Sequence, residues 1–126
     1  MYKELMEAAK RARANAYCRY SHFAVGAALL TEDGSVFTGC NVENAAYGEC
    51  ICAERTAVVK AVSEGHRKFA AIAICGAPEG EAPEKTCPPC GACRQVLAEF
   101  GGGEMQVILT DGVYTLGTLL PGRFSL

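Results

Sequence analysis

The sequence predicts an α/β fold with three layers, α/β/α, in which a mixed sheet of about five strands lies between helices on both faces. Two observations lead to this prediction. Segments with helical spacing alternate with short apolar runs, an order typical of strands joined through helices. An Asp-Gly pair also separates two apolar segments early in the chain, which is a hairpin signal. Because half of the 126 residues are apolar, we expect one domain over residues 1–126 with its own core.

Local patterns place each element of the first half of the chain. A helix is predicted where leucine and alanine recur at helical spacing, and a strand where a short apolar run ends at turn residues. The elements are a helix over 3–16, an irregular stretch over 17–22, strands over 25–31 and 35–40 around Asp33-Gly34, a polar loop over 41–49 and a helix over 52–64. Gly65 follows that helix, at the position where glycine is favoured.

The second half of the chain alternates strands with helices. It contains an apolar strand over 69–75, a loop rich in Pro, Gly and Glu over 76–89, a helix over 90–100 stopped by three glycines, a strand over 105–110, an edge strand over 113–116 and a helical turn over 116–120 before Pro121. The continuous apolar runs are typical of buried strands. Two strand–helix–strand stretches predict parallel pairing with right-handed crossovers, whereas the opening hairpin is antiparallel.

The charge balance restricts the class of partner. The net charge is −2, and the lysines and arginines form no strongly basic stretch, so we expect no nucleic-acid partner. Residues 1–5 lack the apolar region of a signal peptide, and no apolar run reaches the length of a membrane span. These features predict a cytoplasmic protein that acts on a small, nearly neutral molecule.

Eight cysteines are many for a chain of this length. In a reducing compartment, clustered cysteines favour metal binding or catalysis over disulfides. The clustered ones are Cys50, Cys52, Cys87, Cys90 and Cys93. The scattered ones, Cys18, Cys40 and Cys75, are predicted to be small buried apolar residues.

Three cysteines lie at the predicted starts of two helices. Cys90 and Cys93 are three residues apart, so both sulfurs point to one side of a first helical turn. Cys52 lies at the start of the other helix. Zinc prefers such thiolates, and a catalytic zinc site uses three protein ligands and leaves one position open. The positive ends of the two helices favour the deprotonated sulfurs.

Glu54 follows Cys52 by two residues. At the first turn of a helix, both side chains reach around the open helix end, which places the carboxylate beside the fourth metal position. A carboxylate there can take a proton from water and pass it on. For an isolated glutamate, the simpler interpretation is an acid that stabilises the helix dipole.

With these motifs, the chain resembles a known family, the homotetrameric zinc-dependent cytidine deaminases of the cytidine/deoxycytidylate deaminase superfamily. Both metal half-sites fit the deaminase pattern of a ligand, a following Glu and Pro-Cys-x-x-Cys. The resemblance covers nearly the whole chain, in five ordered segments: 20–28 (YSHFAVGAA), 39–47 (GCNVENAAY), 52–57 (CAERTA), 89–95 (PCGACRQ) and 119–124 (LLPGRF). It implies the predicted fold and one Zn²⁺ per subunit, held by Cys52, Cys90 and Cys93.

The resemblance also implies the reaction. Cytidine, and 2'-deoxycytidine, would be hydrolysed to uridine or deoxyuridine and ammonia, as in pyrimidine salvage. A zinc-bound hydroxide would attack C4 of the base, with Glu54 as the proton shuttle.

Roles for further residues follow from the family. Residues matching Asn41 and Glu43 hydrogen-bond the ribose, the one matching Phe23 packs on the base, and backbone at Ala53 contacts the ring. In the family, residues that match three further positions help to form a site shared between subunits of a homotetramer: Ala45, Tyr47 and Phe124. Taken alone, Phe23 would more often be a core residue.

Arg55 is predicted to assist the metal site. Three thiolates on Zn²⁺ leave a formal charge of −1, which weakens the ion as a Lewis acid. A guanidinium that donates hydrogen bonds to the sulfurs would withdraw part of this charge, and the family resemblance supports that role.

The sequence also allows alternatives to a catalytic zinc site with three sulfur ligands. Cys87 would supply a fourth sulfur and close the shell, which would make the zinc structural and the protein a non-enzymatic binding module. Cys50 offers a second spare thiol. Deaminases of blasticidin type have similar cysteine motifs, but the loop with Asn41 and Glu43 favours a nucleoside substrate. Polynucleotide deaminases typically carry His in place of Cys52 and need a basic surface.

Overall fold

The computed structural model describes residues 2–126, in which helices and strands follow nearly the predicted order. The strands are β1 (Phe23–Thr31), β2 (Val36–Cys40), β3 (Phe69–Pro78), β4 (Gln106–Leu109) and β5 (Gly112–Thr115). The helices are α1 (Tyr2–Arg13), α2 (Ala53–Ser63), α3 (Gly91–Phe100) and α4 (Leu116–Leu119), with a 3-10 helix at Tyr47–Glu49. Met1, where the predicted domain begins, lies outside the described residues.

The sheet has the order β2-β1-β3-β4-β5. The β1–β2 hairpin and the β4–β5 pair are antiparallel, and β3 pairs with β4 in parallel, as predicted. The parallel pairing predicted across α2 is wrong, because β3 pairs antiparallel with β1 instead. β1 is nine residues long and buried over most of its length, so it accepts a neighbour on each side and separates β2 from β3.

Helices cover both faces of the sheet, which confirms the predicted layers. On one face α1 buries Leu5 and Ala9 against small residues of β1 and β3. On the other face α2, α3 and α4 cover a larger cluster that includes Leu29, Ile72 and Ile74. Because strand side chains alternate between faces, β3 presents its isoleucines to one layer and its alanines to the other. Within residues 2–126, none of the helices has the length and apolar character needed to cross a bilayer.

Tertiary contacts explain where element ends differ from prediction. α1 ends at Arg13, three residues early, and the Arg13 guanidinium donates hydrogen bonds to the carbonyls of Ala24 at 2.9 Å and Ala77 at 3.0 Å. β1 begins at Phe23 and β3 runs on to Pro78 because these ends pair with each other. The extension carries Phe23 to the edge of the sheet where α2 and α3 begin.

Gly39 allows α2 to lie close against β2. A Cβ atom at this position would stand 2.5 Å from the Ala53 carbonyl oxygen and 2.6 Å from the Ala57 nitrogen. Both neighbours are backbone atoms, so they cannot turn aside. The absent side chain therefore sets the distance between the hairpin and the start of α2.

We predict that Gly39→Ala lowers the free energy of unfolding by roughly 1–3 kcal/mol, since the added methyl group pushes the α2 backbone away. Urea unfolding monitored by circular dichroism measures the change. Gly48→Ala is the matched control, because a Cβ there meets nothing within 4 Å. Equal stability of the two variants would contradict the close approach.

Candidate metal centre and active site

Two helix N-termini meet at one edge of the sheet. Cys52 is the N-cap residue of α2 and Cys90 that of α3, both with extended backbone, and neither side chain caps its helix. A Ser or Asp at these positions would turn inward to bond the first N–H groups. The cysteine sulfurs are left to face outward, where the positive end of each helix stabilises negative charge.

The sulfurs of Cys52, Cys90 and Cys93 all lie within 4.8 Å of one another, and those of Cys90 and Cys93 are 3.5 Å apart. Tetrahedral zinc with Zn–S bonds of about 2.3 Å needs sulfurs roughly 3.8 Å apart, so the cluster fits this ion. Cys93 is buried, Cys52 is half-buried and Cys90 is exposed. The protein thus encloses the cluster at Cys93, while solvent can reach it at Cys90.

The surroundings of the cluster favour a thiolate at Cys52. The pKa of this thiol is lowered to about 5, first by a hydrogen bond from Cys93 and then, against the cost of burial, by hydrogen bonds from Arg55 and Cys90. The Arg55 Nη2 atom lies 3.8 Å from the Cys52 sulfur and 3.3 Å from the Cys50 carbonyl oxygen. Its Nε is buried and has no hydrogen-bond partner among the described residues. Arg55 therefore lies beside the sulfurs, and its assistance to a bound metal stays a prediction.

Glu54 lies in the first turn of α2 and is only 5% exposed. Burial is the main reason that the pKa of its carboxyl is raised to about 7, and the nearby Cys52 sulfur adds to the shift. An ordinary acid on a helix dipole would be exposed to solvent, so the simpler interpretation of Glu54 does not fit. A carboxyl group that titrates near neutral pH can both accept and return a proton.

A cavity of about 400 Å³ opens beside the sulfur cluster. This volume lies within the range of small-molecule sites. Its lining contains Ser21, Phe23, Val25, Asn41, Glu43, Cys50, Ile51, Cys52, Ala53, Glu54, Cys87, Pro88 and Cys90. One space thus joins the metal-binding end, an apolar middle and a polar end.

The polar end is held by the first residues of β1 and by the loop before that strand. The Asn41 amide accepts a hydrogen bond from the Val25 N–H at 2.9 Å and donates one to the Phe23 carbonyl at 2.8 Å. Glu43 accepts hydrogen bonds from the N–H groups of Tyr20 at 3.0 Å and Ser21 at 3.1 Å, and from the Ser21 hydroxyl. The Ser21 hydroxyl is the main cause of the lowered pKa of Glu43. A carboxylate has about four acceptor positions, so Glu43 keeps room for a ligand hydroxyl.

Three of the predicted substrate contacts lie away from this cavity. Ala45 is exposed, and the residues Tyr47 and Phe124 are 74% and 67% exposed. Tyr47 has an edge contact with the Tyr20 ring, with 6.2 Å between the centroids. The structure therefore brings Phe23, Asn41, Glu43 and Ala53 together at the cavity and leaves these three residues outside it. Phe23, 38% exposed, lines the cavity and is not a core residue.

The two spare thiols lie outside the sulfur cluster. Cys87 lines the cavity, with its sulfur 2.8 Å from where a Cβ would stand at Gly76, and burial raises its pKa to about 11. The Cys50 sulfur accepts a hydrogen bond from the Asn44 N–H at 3.3 Å. A closed shell of four sulfurs is therefore not formed among the described residues.

The burial of the scattered cysteines and the lining of the cavity differ from prediction in smaller ways. Cys18 and Cys75 are buried as predicted, whereas Cys40 is half-buried. Ser21 is a cavity residue that the sequence analysis missed, because a lone serine in a loop carries no pattern.

Comparisons with known proteins agree with this geometry. Residues 1–109 match the family model of the cytidine and deoxycytidylate deaminase zinc-binding region. A cytidine deaminase of Sporosarcina psychrophila is 51% identical over 128 residues, which cover 98% of this chain and 90% of that protein. The crystal structure of a Burkholderia pseudomallei cytidine deaminase is 52% identical with a TM-score of 0.88, covering 98% and 99% of the two chains. That of the Mycobacterium tuberculosis cytidine deaminase is 44% identical with a TM-score of 0.88, covering 99% and 98%.

The spare thiol and a clustered thiol should differ in their effect on metal content. We predict that Cys87→Ser keeps one zinc per chain and most of the activity, whereas Cys93→Ser loses the metal, because only Cys93 belongs to the three-sulfur cluster. Atomic absorption on the purified proteins measures the zinc. Zinc loss in Cys87→Ser would instead favour a closed structural site.

Proposed function

This chain belongs to the family of cytidine and deoxycytidylate deaminases and is a zinc-dependent cytidine deaminase, and we propose that it hydrolyses both cytidine and 2'-deoxycytidine in pyrimidine salvage. The observation that carries the proposal is the single cavity that joins the three-sulfur cluster, buried Glu54 and the polar pair Asn41 and Glu43. The proposed unit of function is one domain over residues 1–126.

Cys52, Cys90 and Cys93 are the proposed ligands of one Zn²⁺ per subunit. Three protein ligands leave a tetrahedral ion one position for water or substrate. When bound, the ion supplies Lewis acidity, which makes a nucleophile available from water at neutral pH. Arg55 is proposed to withdraw negative charge from the sulfurs through its contact with Cys52.

Glu54 is the proposed proton shuttle. Its carboxylate accepts a proton from the attacking water and returns it to N3 of the base, and a second transfer delivers a proton to the departing amino group. The C4–N bond breaks, a C4 carbonyl forms and ammonia leaves, so one water is consumed per nucleoside. The burial of Glu54 supports this role, because protons then pass between the carboxylate and the substrate and not to bulk solvent.

The remainder of the cavity is proposed to hold the nucleoside. Phe23 packs on the base, the Ala53 backbone contacts the ring, and Asn41 and Glu43 hydrogen-bond the ribose. The hydrogen bonds from β1 to Asn41 and from the loop before β1 to Glu43 support this assignment, because they fix both groups before a ligand arrives. A sugar-binding pair also favours a nucleoside over a blasticidin-type antibiotic.

The cavity of one subunit is proposed to be completed by its neighbours in a homotetramer. Ala45, Tyr47 and Phe124 are exposed and lie outside the cavity of their own chain. Tyr and Phe are enriched in protein–protein interfaces relative to the rest of a protein surface, which supports this proposal. The proposed contacts place these three residues at the active sites of adjacent subunits.

We predict that Glu54→Gln lowers kcat by at least about 10²-fold while zinc is retained, because the amide cannot transfer the proton. Loss of cytidine absorbance in the ultraviolet measures turnover. Glu64→Gln, an exposed acid at the other end of α2, is the matched control and should be as active as the wild type. Full activity of Glu54→Gln would exclude the shuttle.

The oligomeric state provides an independent check of the shared sites. Light scattering after size-exclusion chromatography should give about four times the chain mass of 13.3 kDa. A monomer with full activity would show that no neighbour is needed.

A further inference from the structure

The C-terminal segment after α4, residues 121–126, is exposed along its whole length. Apolar burial therefore does not fix its position. It nevertheless carries the large apolar residue Phe124, which is 67% exposed. The contacts that hold this segment against the subunit must be polar ones.

Arg123 makes two of those contacts, both at the end of α3. Its guanidinium donates hydrogen bonds to the Gly101 carbonyl at 2.8 Å and to the Ala98 carbonyl at 2.5 Å. The last carbonyls of a helix lack partners within the helix, and a cation there is stabilising. The last turn of α3 contains no basic residue of its own, so Arg123 supplies this charge from outside the helix.

One side chain of α3, Gln95, holds the same segment directly, and a second, Arg94, holds the end of α4 from which the segment leaves. Gln95 donates a hydrogen bond from Nε2 to the Phe124 carbonyl at 3.2 Å. Arg94 donates to the Leu119 carbonyl at 2.8 Å and to the Pro89 carbonyl, beside the Cys90 ligand, at 2.7 Å. Arg123, the residue before Phe124, is thus fixed to α3, and so is the Phe124 carbonyl. The Phe124 side chain itself remains exposed.

We propose that Arg123, assisted by Gln95, is a positioning residue that holds the Phe124 ring outward for the active site of a second copy of this chain. The inference rests on the proposed function, in which Phe124 completes a neighbouring cavity. Without these hydrogen bonds, the segment would have to be ordered each time a nucleoside binds. The loss would then appear in substrate binding and not in the chemical step.

A double-mutant cycle tests whether Arg123 acts through Phe124. We expect Arg123→Gln to raise KM for cytidine roughly fivefold, as for one or two lost hydrogen bonds, with kcat within about twofold. Phe124→Ala should raise KM at least as much. The double variant should be no worse than Phe124→Ala alone, because a ring that is absent no longer needs to be positioned. Arg67→Gln, which removes an exposed arginine from the α2–β3 connection, is the matched control.

Two measurements without turnover accompany the cycle. Carboxypeptidase should release residues 124–126, which are identical in the two proteins, faster from Arg123→Gln than from the wild type, while the zinc content stays at one per chain, since Cys90 and Cys93 lie at the other end of α3. If Arg123→Gln does not fold, Gln95→Met removes one of the hydrogen bonds without a change of charge and should raise KM by a smaller factor.

Several outcomes would overturn the proposal: an unchanged KM in Arg123→Gln, additive effects in the double variant, or an unchanged rate of digestion. Zinc loss in Arg123→Gln would show a structural role for α3 instead. A zinc-loaded wild type that does not deaminate cytidine would refute the proposed function, whereas the digestion rate would still show whether Arg123 holds the segment.

Discussion

The convergence of three sulfurs from two separate helices is the constraint on which the rest of the structure depends. Cys52 and Cys90 stand directly before α2 and α3, so both helices must begin at the same edge of the sheet and on the same face. Close packing makes this possible, because the inner residues of α2 are small and the facing position of β2 is a glycine. The buried cluster that joins α2, α3 and β3 therefore sets the distance between the ligands as well as the stability of the fold.

The surroundings of the sulfur cluster shift the pKa values of two acidic groups, close together in sequence, in opposite directions. Hydrogen bonds, first from Cys93 and then from Arg55 and Cys90, lower the pKa of Cys52 to about 5, whereas burial raises the pKa of Glu54 to about 7. A metal ligand must be deprotonated, and a proton shuttle must take up and release its proton near neutral pH. One helix turn meets both requirements because Cys52 is reached by donors and the Glu54 carboxyl is enclosed by the core.

The helix α3 has two tasks. Its N-terminal turn contributes two of the three sulfurs, and its C-terminal turn, together with Gln95, holds the segment that carries Phe124. The cavity wall likewise depends on a contact between remote segments, since the paired ends of β1 and β3 bring Phe23 close to Gly76 and Cys87. A rigid sheet edge thus supports the metal-binding end, the apolar wall and the polar end at once.

Local sequence patterns were enough to predict the layered α/β class, the order of the elements to within about three residues at their ends, and the candidates Cys52, Cys90, Cys93 and Glu54. These features lie in local patterns, such as helical spacing, a turn dipeptide and two short motifs at helix starts, and so need no knowledge of distant contacts. Only the folded chain shows that β3 lies beside β1, that Cys87 stays outside the sulfur cluster, that Asn41 is held by β1 and Glu43 by the loop before it, and that Tyr47 and Phe124 are exposed. Each of these depends on distances between residues far apart in the chain, which are fixed by packing and not by spacing.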